Sequence, residues 1–137
     1  MSRTYLLDTN VVSEAMRPSP RERVVQRIHR HQHQIAIASV VWHELWYGVR
    51  LLPQSQRRDD FEKYLSGFVA TFEFLDYTRA AAEWHAFERV RLAARGEMSA
   101  FADGQIAAIA AVNNLTLVTF NIDHFNRFEG LRVESWW

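Results

Sequence analysis

The chain has 137 residues and a formal net charge of +0, enough for one domain and without the long-range field that would announce a polyanion partner. With 48% hydrophobic and 13% aromatic residues it can build a full core, which argues against disorder, and the absence of Cys excludes disulfides, thiolate zinc sites and cysteine nucleophiles. The longest apolar run, Ile106–Val112, is too short to cross a bilayer and no signal peptide is visible, so a soluble cytoplasmic protein is expected.

Along the chain, short apolar runs alternate with helical patterns. Tyr5–Leu7 reads as the first strand. Ser19-Pro20-Arg21-Glu22 offers a capping box with Pro at the first helical position, predicting a helix through about Arg30. Ile35–Ala38 is a second strand, after which Ser39 can cap a helix carried by Trp42, Leu45, Trp46 and Val49 and stopping near Pro53. Over Phe61–Phe72, apolar residues recur at Phe61, Tyr64, Leu65, Phe68, Val69 and Phe72, the clearest helical period in the chain. Phe74–Leu75 is a brief strand. Arg79–Arg95 is helical and stops at Gly96, and Ala100–Val112 is an Ala/Ile-rich helix closed by Asn113-Asn114. Thr116–Thr119 is the most strand-like run, and Leu131–Val133 adds an edge strand. Strands separated by helices pair in parallel through right-handed crossovers. The expected fold is therefore one α/β domain over 1–137, a three-layer α/β/α sandwich around a short, mainly parallel sheet.

Four acids stand where such a fold gathers ligands, beyond the carboxyl ends of the strands. Asp8 ends the first strand; Glu44 lies in an apolar helix; Asp103 opens a helix that is apolar nearly all round; Asp123 follows the Thr116–Thr119 strand. Each has a plainer reading: a helix cap for Asp8, a surface pair with Arg50 for Glu44, the helix dipole for Asp103, a polar loop for Asp123. Gathered from remote segments into an apolar frame, however, carboxylates repel one another and call for a cation. Hard oxygen donors suit Mg²⁺ or Mn²⁺, which acidifies a bound water and polarises a phosphoryl oxygen. Thr9, Asn10, Thr119 and Asn121 are the supporting polar groups. Arg17, Arg21, Arg23, Arg27, Arg50, Arg57 and Arg58 are candidates for phosphate contact, as is His124. His29, His31 and His33 read as a solvated helix end, and His43 and His85 as packing or surface groups. Trp42, Trp46, Tyr47, Phe61, Tyr64, Phe68 and Phe72 exceed what one small core hides and suggest a dimer interface.

These residues bring in a resemblance that spans essentially the whole chain. LLDTNVVSE at Leu6–Glu14, HELWYGVRLLP at His43–Pro53, ADGQIAAIA at Ala102–Ala110, LTLVTFN at Leu115–Asn121 and GLRVESW at Gly130–Trp136 resemble the PIN-domain ribonucleases. Within them they resemble the VapC toxins of VapBC-type toxin–antitoxin pairs, including the FitB-like branch. The resemblance implies a Mg²⁺- or Mn²⁺-dependent endoribonuclease, homodimers and a cognate VapB-like antitoxin. It places Asp8, Glu44 and Asp103 on the three central acids, expected to hold the metal, with Asp123 assisting. One departure is plain: a T-x-N-x-x-D-F or T-x-N-x-x-E-F pattern would set the fourth acid at position 124, where this chain has His124. Phe101 is also bulkier than the small or polar residue expected there. Two rivals stand beside this reading. One is a PIN-like module that binds RNA or protein without hydrolysis. The other is a haloacid-dehalogenase-like phosphatase, which would need a second acid where Asn10 stands.

Overall fold

Three short residues of strand, Tyr5–Leu7 (β1), form the middle of a five-stranded sheet in the computed structural model, which describes residues 3–137. Ile35–Ala38 (β2), Glu73–Leu75 (β3), Thr116–Val118 (β4) and Arg132–Glu134 (β5) complete it in the order β3-β2-β1-β4-β5. Every pairing is parallel, with Leu6 opposite Ala36 on one side and Leu117 on the other. The chain thus winds outward from β1 to β3, then returns across β1 to β4 and β5. The reversal falls between β1 and β4, the crevice in which open α/β sheets bind ligands. Leu6, Leu7, all four residues of β2, Leu117 and Val118 are buried, as strands covered by helices must be.

The helices are Thr9–Met16 (α1), Glu22–Arg30 (α2), Ser39–Leu51 (α3), Gln56–Gly67 (α4), Arg79–Ala94 (α5), Phe101–Val112 (α6) and Ile122–Phe125 (α7). They flank the sheet, giving the expected three-layer α/β architecture. None of the described helices is long and apolar enough to cross a membrane.

Several elements differ from the sequence expectation for local physical reasons. The pattern assigned no helix after β1, yet α1 starts at once because Asp8 caps it, accepting from the Thr9 N–H at 2.8 Å, and because Val11 and Val12 go into the core. The capping box at Ser19–Glu22 does not form. Instead the Arg21 N–H donates across to the buried Glu14 carboxylate at 2.9 Å, so α2 begins without a side-chain cap. Burial alone would raise the Glu14 carboxyl's pKa; the Arg21 N–H and Arg17 outweigh it and hold the group below its usual value. Ser39 is the first residue of α3 rather than its cap. The Phe61–Phe72 period is split. Its helix starts earlier, with the Ser55 hydroxyl accepting from Arg58 N–H, and stops at Gly67; a 3₁₀ turn over Val69–Thr71 then swings Phe72 toward β3. Gly96, at φ 73°, closes α5 as expected.

The aromatic surplus is mostly absorbed internally. Trp42 packs edge-on against Trp46 and Phe74, while Tyr64, Phe68 and Phe72 form a continuous row. Tyr47 alone of the seven stays largely exposed, joined on α3, α5 and the start of α6 by Leu51, Phe87, Val90 and Phe101.

Candidate active site

Asp8 sits at the β1 end of the crevice, 7% exposed, its backbone N–H bonded to the Val118 carbonyl of β4. Besides the Thr9 N–H, its carboxylate accepts the hydroxyl of Thr119 at 2.8 Å. Thr119 is fully buried just past β4, and its oxygen also receives the Asn121 N–H at 3.1 Å and the Asn10 amide at 3.5 Å. Asn10 completes the loop, its carbonyl accepting from the Phe120 N–H. The four supporting residues therefore knit the ends of β1 and β4 together around one carboxylate.

Glu44 arrives from α3, where the Thr9 hydroxyl donates to its Oε1 at 2.6 Å. Asp103 arrives in the first turn of α6. Both act on Asp8 electrostatically. Burial is the largest cause and pushes the Asp8 carboxyl above its usual 3.8; bonds from Thr119 and Thr9 oppose this, and the charges of Asp103 and Glu44 add to it. Two of the other three predicted acids thus lie close enough to act on Asp8.

Asp123 is placed otherwise. It is exposed in the first turn of α7 and is not among the charges acting on Asp8. The neighbouring His124 faces the site instead, its Nε2 3.0 Å from Asp103 Oδ2. Arg127 holds that ring, donating to His124 Nδ1 at 2.7 Å and to the His124 carbonyl at 3.1 Å. Sequence reasoning gave Arg127 no role, and its spacing of three from His124 on a single turn is the signal that could have found it.

His85 is fully buried on α5, with Nδ1 2.9 Å from the Tyr77 hydroxyl and the ring against Gly104, next to Asp103. The other histidines form no site. His31 lies against Tyr5 and Trp136, and His43 stacks on Tyr47. Of the candidate arginines, Arg17 pairs with Glu14 and Arg50 and Arg58 with Glu62, while Arg57 and Arg21 lie over the rings of Phe61 and Trp137.

The donor set fits a hard divalent cation: three carboxylates, two hydroxyls and two carboxamides, all oxygen, with mutual repulsion a cation would relieve. Among the described residues no three His, Asp or Glu side chains are already drawn together as an ion cage. Glu44 is held by Thr9 and Asp103 lies against His124, so an ion would draw them in. Thr119→Val keeps the shape but removes the donor to Asp8. It is expected to cost about 1–2 kcal/mol of stability, read by thermal unfolding. Unchanged stability would show that Asp8 needs no such support.

Beside Glu44 opens a groove of about 470 Å³, lined by Asn10, Arg17, Arg57, Phe61, Phe120 and Trp137 among others.

The PIN domain family pattern matches residues 5–131. The tRNA(fMet)-specific endonuclease VapC of Shigella flexneri is 34% identical over 132 residues, 96% of this chain and 97% of that protein. Toxin FitB of Neisseria gonorrhoeae is 32% identical over 124 residues, 88% and 89% of the two chains. The crystal structure of FitAcB from Neisseria gonorrhoeae matches with a TM-score of 0.88 at 30% identity, covering 98% of this chain and 99% of that one. A parallel sheet whose switch point carries Asp8, with Glu44 and Asp103 brought to it and relatives alike over nearly their full length, leaves one assignment: the chain belongs to the PIN-domain family, in its VapC branch.

Proposed function

We propose that this protein is the ribonuclease toxin of a type II toxin–antitoxin pair, hydrolysing RNA phosphodiester bonds at Asp8, Glu44 and Asp103 with Mg²⁺ or Mn²⁺. The observation that carries it is the convergence of three carboxylates on the β1/β4 crevice, where Asp8 feels both of the others. Relatives named as endonucleases and ribonucleases support the reading. Asp8, Glu44 and Asp103 would hold the ion. When bound, such an ion supplies Lewis-acid polarisation of the phosphoryl oxygen and a water acidified for attack. The chain's own part is orientation. Thr119 and the Thr9 N–H fix the Asp8 carboxylate, the Thr9 hydroxyl aims Glu44, and the α6 backbone presents Asp103.

Solved VapBC and FitAB complexes among the related structures support a VapB-like antitoxin as partner. The groove beside Glu44, apolar but rimmed by Arg17 and Arg57, offers an antitoxin segment a seat next to the acids. The exposed apolar residues Tyr47 and Leu51 on α3 and Phe87 and Val90 on α5 support assembly as a homodimer.

The test is cleavage of a mixed RNA pool by the protein freed of antitoxin. Cleavage with Mg²⁺ or Mn²⁺, lost in EDTA and restored by added metal, is the expected result. RNA bound but never cut under any metal would replace the enzyme with a binding module.

A further inference from the structure

His124 stands between Arg127 and Asp103, and the way it is held decides what it can do. Arginine has only N–H donors. Its 2.7 Å contact from Arg127 therefore makes His124 Nδ1 an acceptor, which leaves the ring proton on Nε2. A nitrogen carrying its proton has no lone pair for a metal. The orientation is firm, because Arg127 also donates to the His124 carbonyl at 3.1 Å and to the Met98 carbonyl at 3.2 Å, tying α7 to the segment before α6. His124 thus turns an N–H edge, not a ligand, toward Asp103 Oδ2 at 3.0 Å, although the N–H is not aligned for a full hydrogen bond.

Hydrogen bonds take one lone pair on each Asp8 oxygen and on Glu44 Oε1, and Asp103 Oδ2 faces His124. Two-ion phosphodiesterase sites hold their ions roughly 3.5–4 Å apart, which takes bridging carboxylates and acids on both flanks. Here the far flank of Asp103 is closed by an imidazole, and Asp123 is exposed on α7 rather than turned inward. Three carboxylates with water and substrate phosphate meet the needs of one octahedral ion.

We infer that this site takes a single divalent ion, and that His124, locked by Arg127, is the residue that excludes a second. The inference rests on the metal-nuclease reading above and specifies the stoichiometry of its site. His124 is a positioning residue: it closes one flank of Asp103 without touching the ion.

The experiment counts Mn²⁺ on the full chain, free of antitoxin, by calorimetric titration and by electron paramagnetic resonance. One Mn²⁺ per chain with an isolated-ion spectrum is expected for the wild type. His124→Asp places a fourth carboxylate beside Asp103 and should raise the count to two, with a spin-coupled spectrum; His124→Glu serves if that variant does not fold. Two coupled ions on the wild type would overturn the inference and leave the metal-nuclease reading standing. One ion on wild type and acid variants alike would remove His124 as the cause and equally overturn it. No binding by the wild type would overturn both.

Discussion

Asp8→Asn is expected to abolish RNA cleavage and at the same time to make the metal-free protein more stable. The loss of activity follows from removing the carboxylate on which the other two acids converge. Several kcal/mol of transition-state stabilisation are at stake, so the rate should fall by about a thousandfold or more. The gain in stability follows from the environment of Asp8. Its carboxyl is buried and faces Asp103 and Glu44, so its pKa is raised in the folded protein. A raised carboxyl favours the folded state's protonated form. Relative to acid pH, stability is then lost as pH rises from the unfolded value near 3.8 through the folded one, and it stays reduced above that. Asn has no charge to desolvate, and its side-chain oxygen keeps one of the two hydrogen bonds that the Asp8 carboxylate accepts. Tm of the variant in EDTA should therefore exceed that of the wild type at neutral pH, at a scale of about 4 °C per kcal/mol, with the difference closing as pH falls toward the ordinary aspartate range. Added Mg²⁺ should raise the wild-type Tm and leave the variant's unmoved. A variant less stable than wild type at neutral pH in EDTA would refute the account of Asp8 as a strained, cation-seeking group.

Gly104→Ala is expected to be the most damaging single methyl in the protein. The added carbon would overlap the His85 ring, coming within 2.6 Å of its Cδ2 and closer still to Nε2. The ring cannot swing away easily: it is 1% exposed and anchored to the Tyr77 hydroxyl. The helices themselves must part, for about 3 kcal/mol, or a fall in Tm of roughly 10 °C. Because α5 would push on the first turn of α6, Asp103 moves too, and cleavage falls with stability. Combining it with His85→Ala removes the obstacle, so the double variant should be little worse than His85→Ala alone, a strongly non-additive cycle. An unchanged Tm for Gly104→Ala would show that the α5/α6 contact is looser than described.

The sheet was legible because its strands are short apolar islands between longer helical patterns, and Tyr5–Leu7, Ile35–Ala38 and Thr116–Val118 needed no tertiary information. The strand order was not, since nothing local distinguishes an outward step from a return across β1. The helix α1 was hidden for another reason. Its apolar face is only Val11 and Val12 before a buried Glu14, a charge whose partners, Arg17 and the Arg21 N–H, appear only on folding. At the site, Asp8, Glu44 and Asp103 could be named from their framing by strand ends and apolar helices. Asp123 and His124 are adjacent in sequence, and which of them turns inward depends on one short helical turn and on Arg127, a geometry no periodicity records.

The bond from Thr119 to Asp8 joins residues 111 apart, and β1 remains an edge strand until β4 pairs with it. Synthesis therefore makes all three acids before it makes the strand that orients the first of them. A chain that stops short of β4 is thus expected to lack an ordered site, however much of the acidic cluster it keeps.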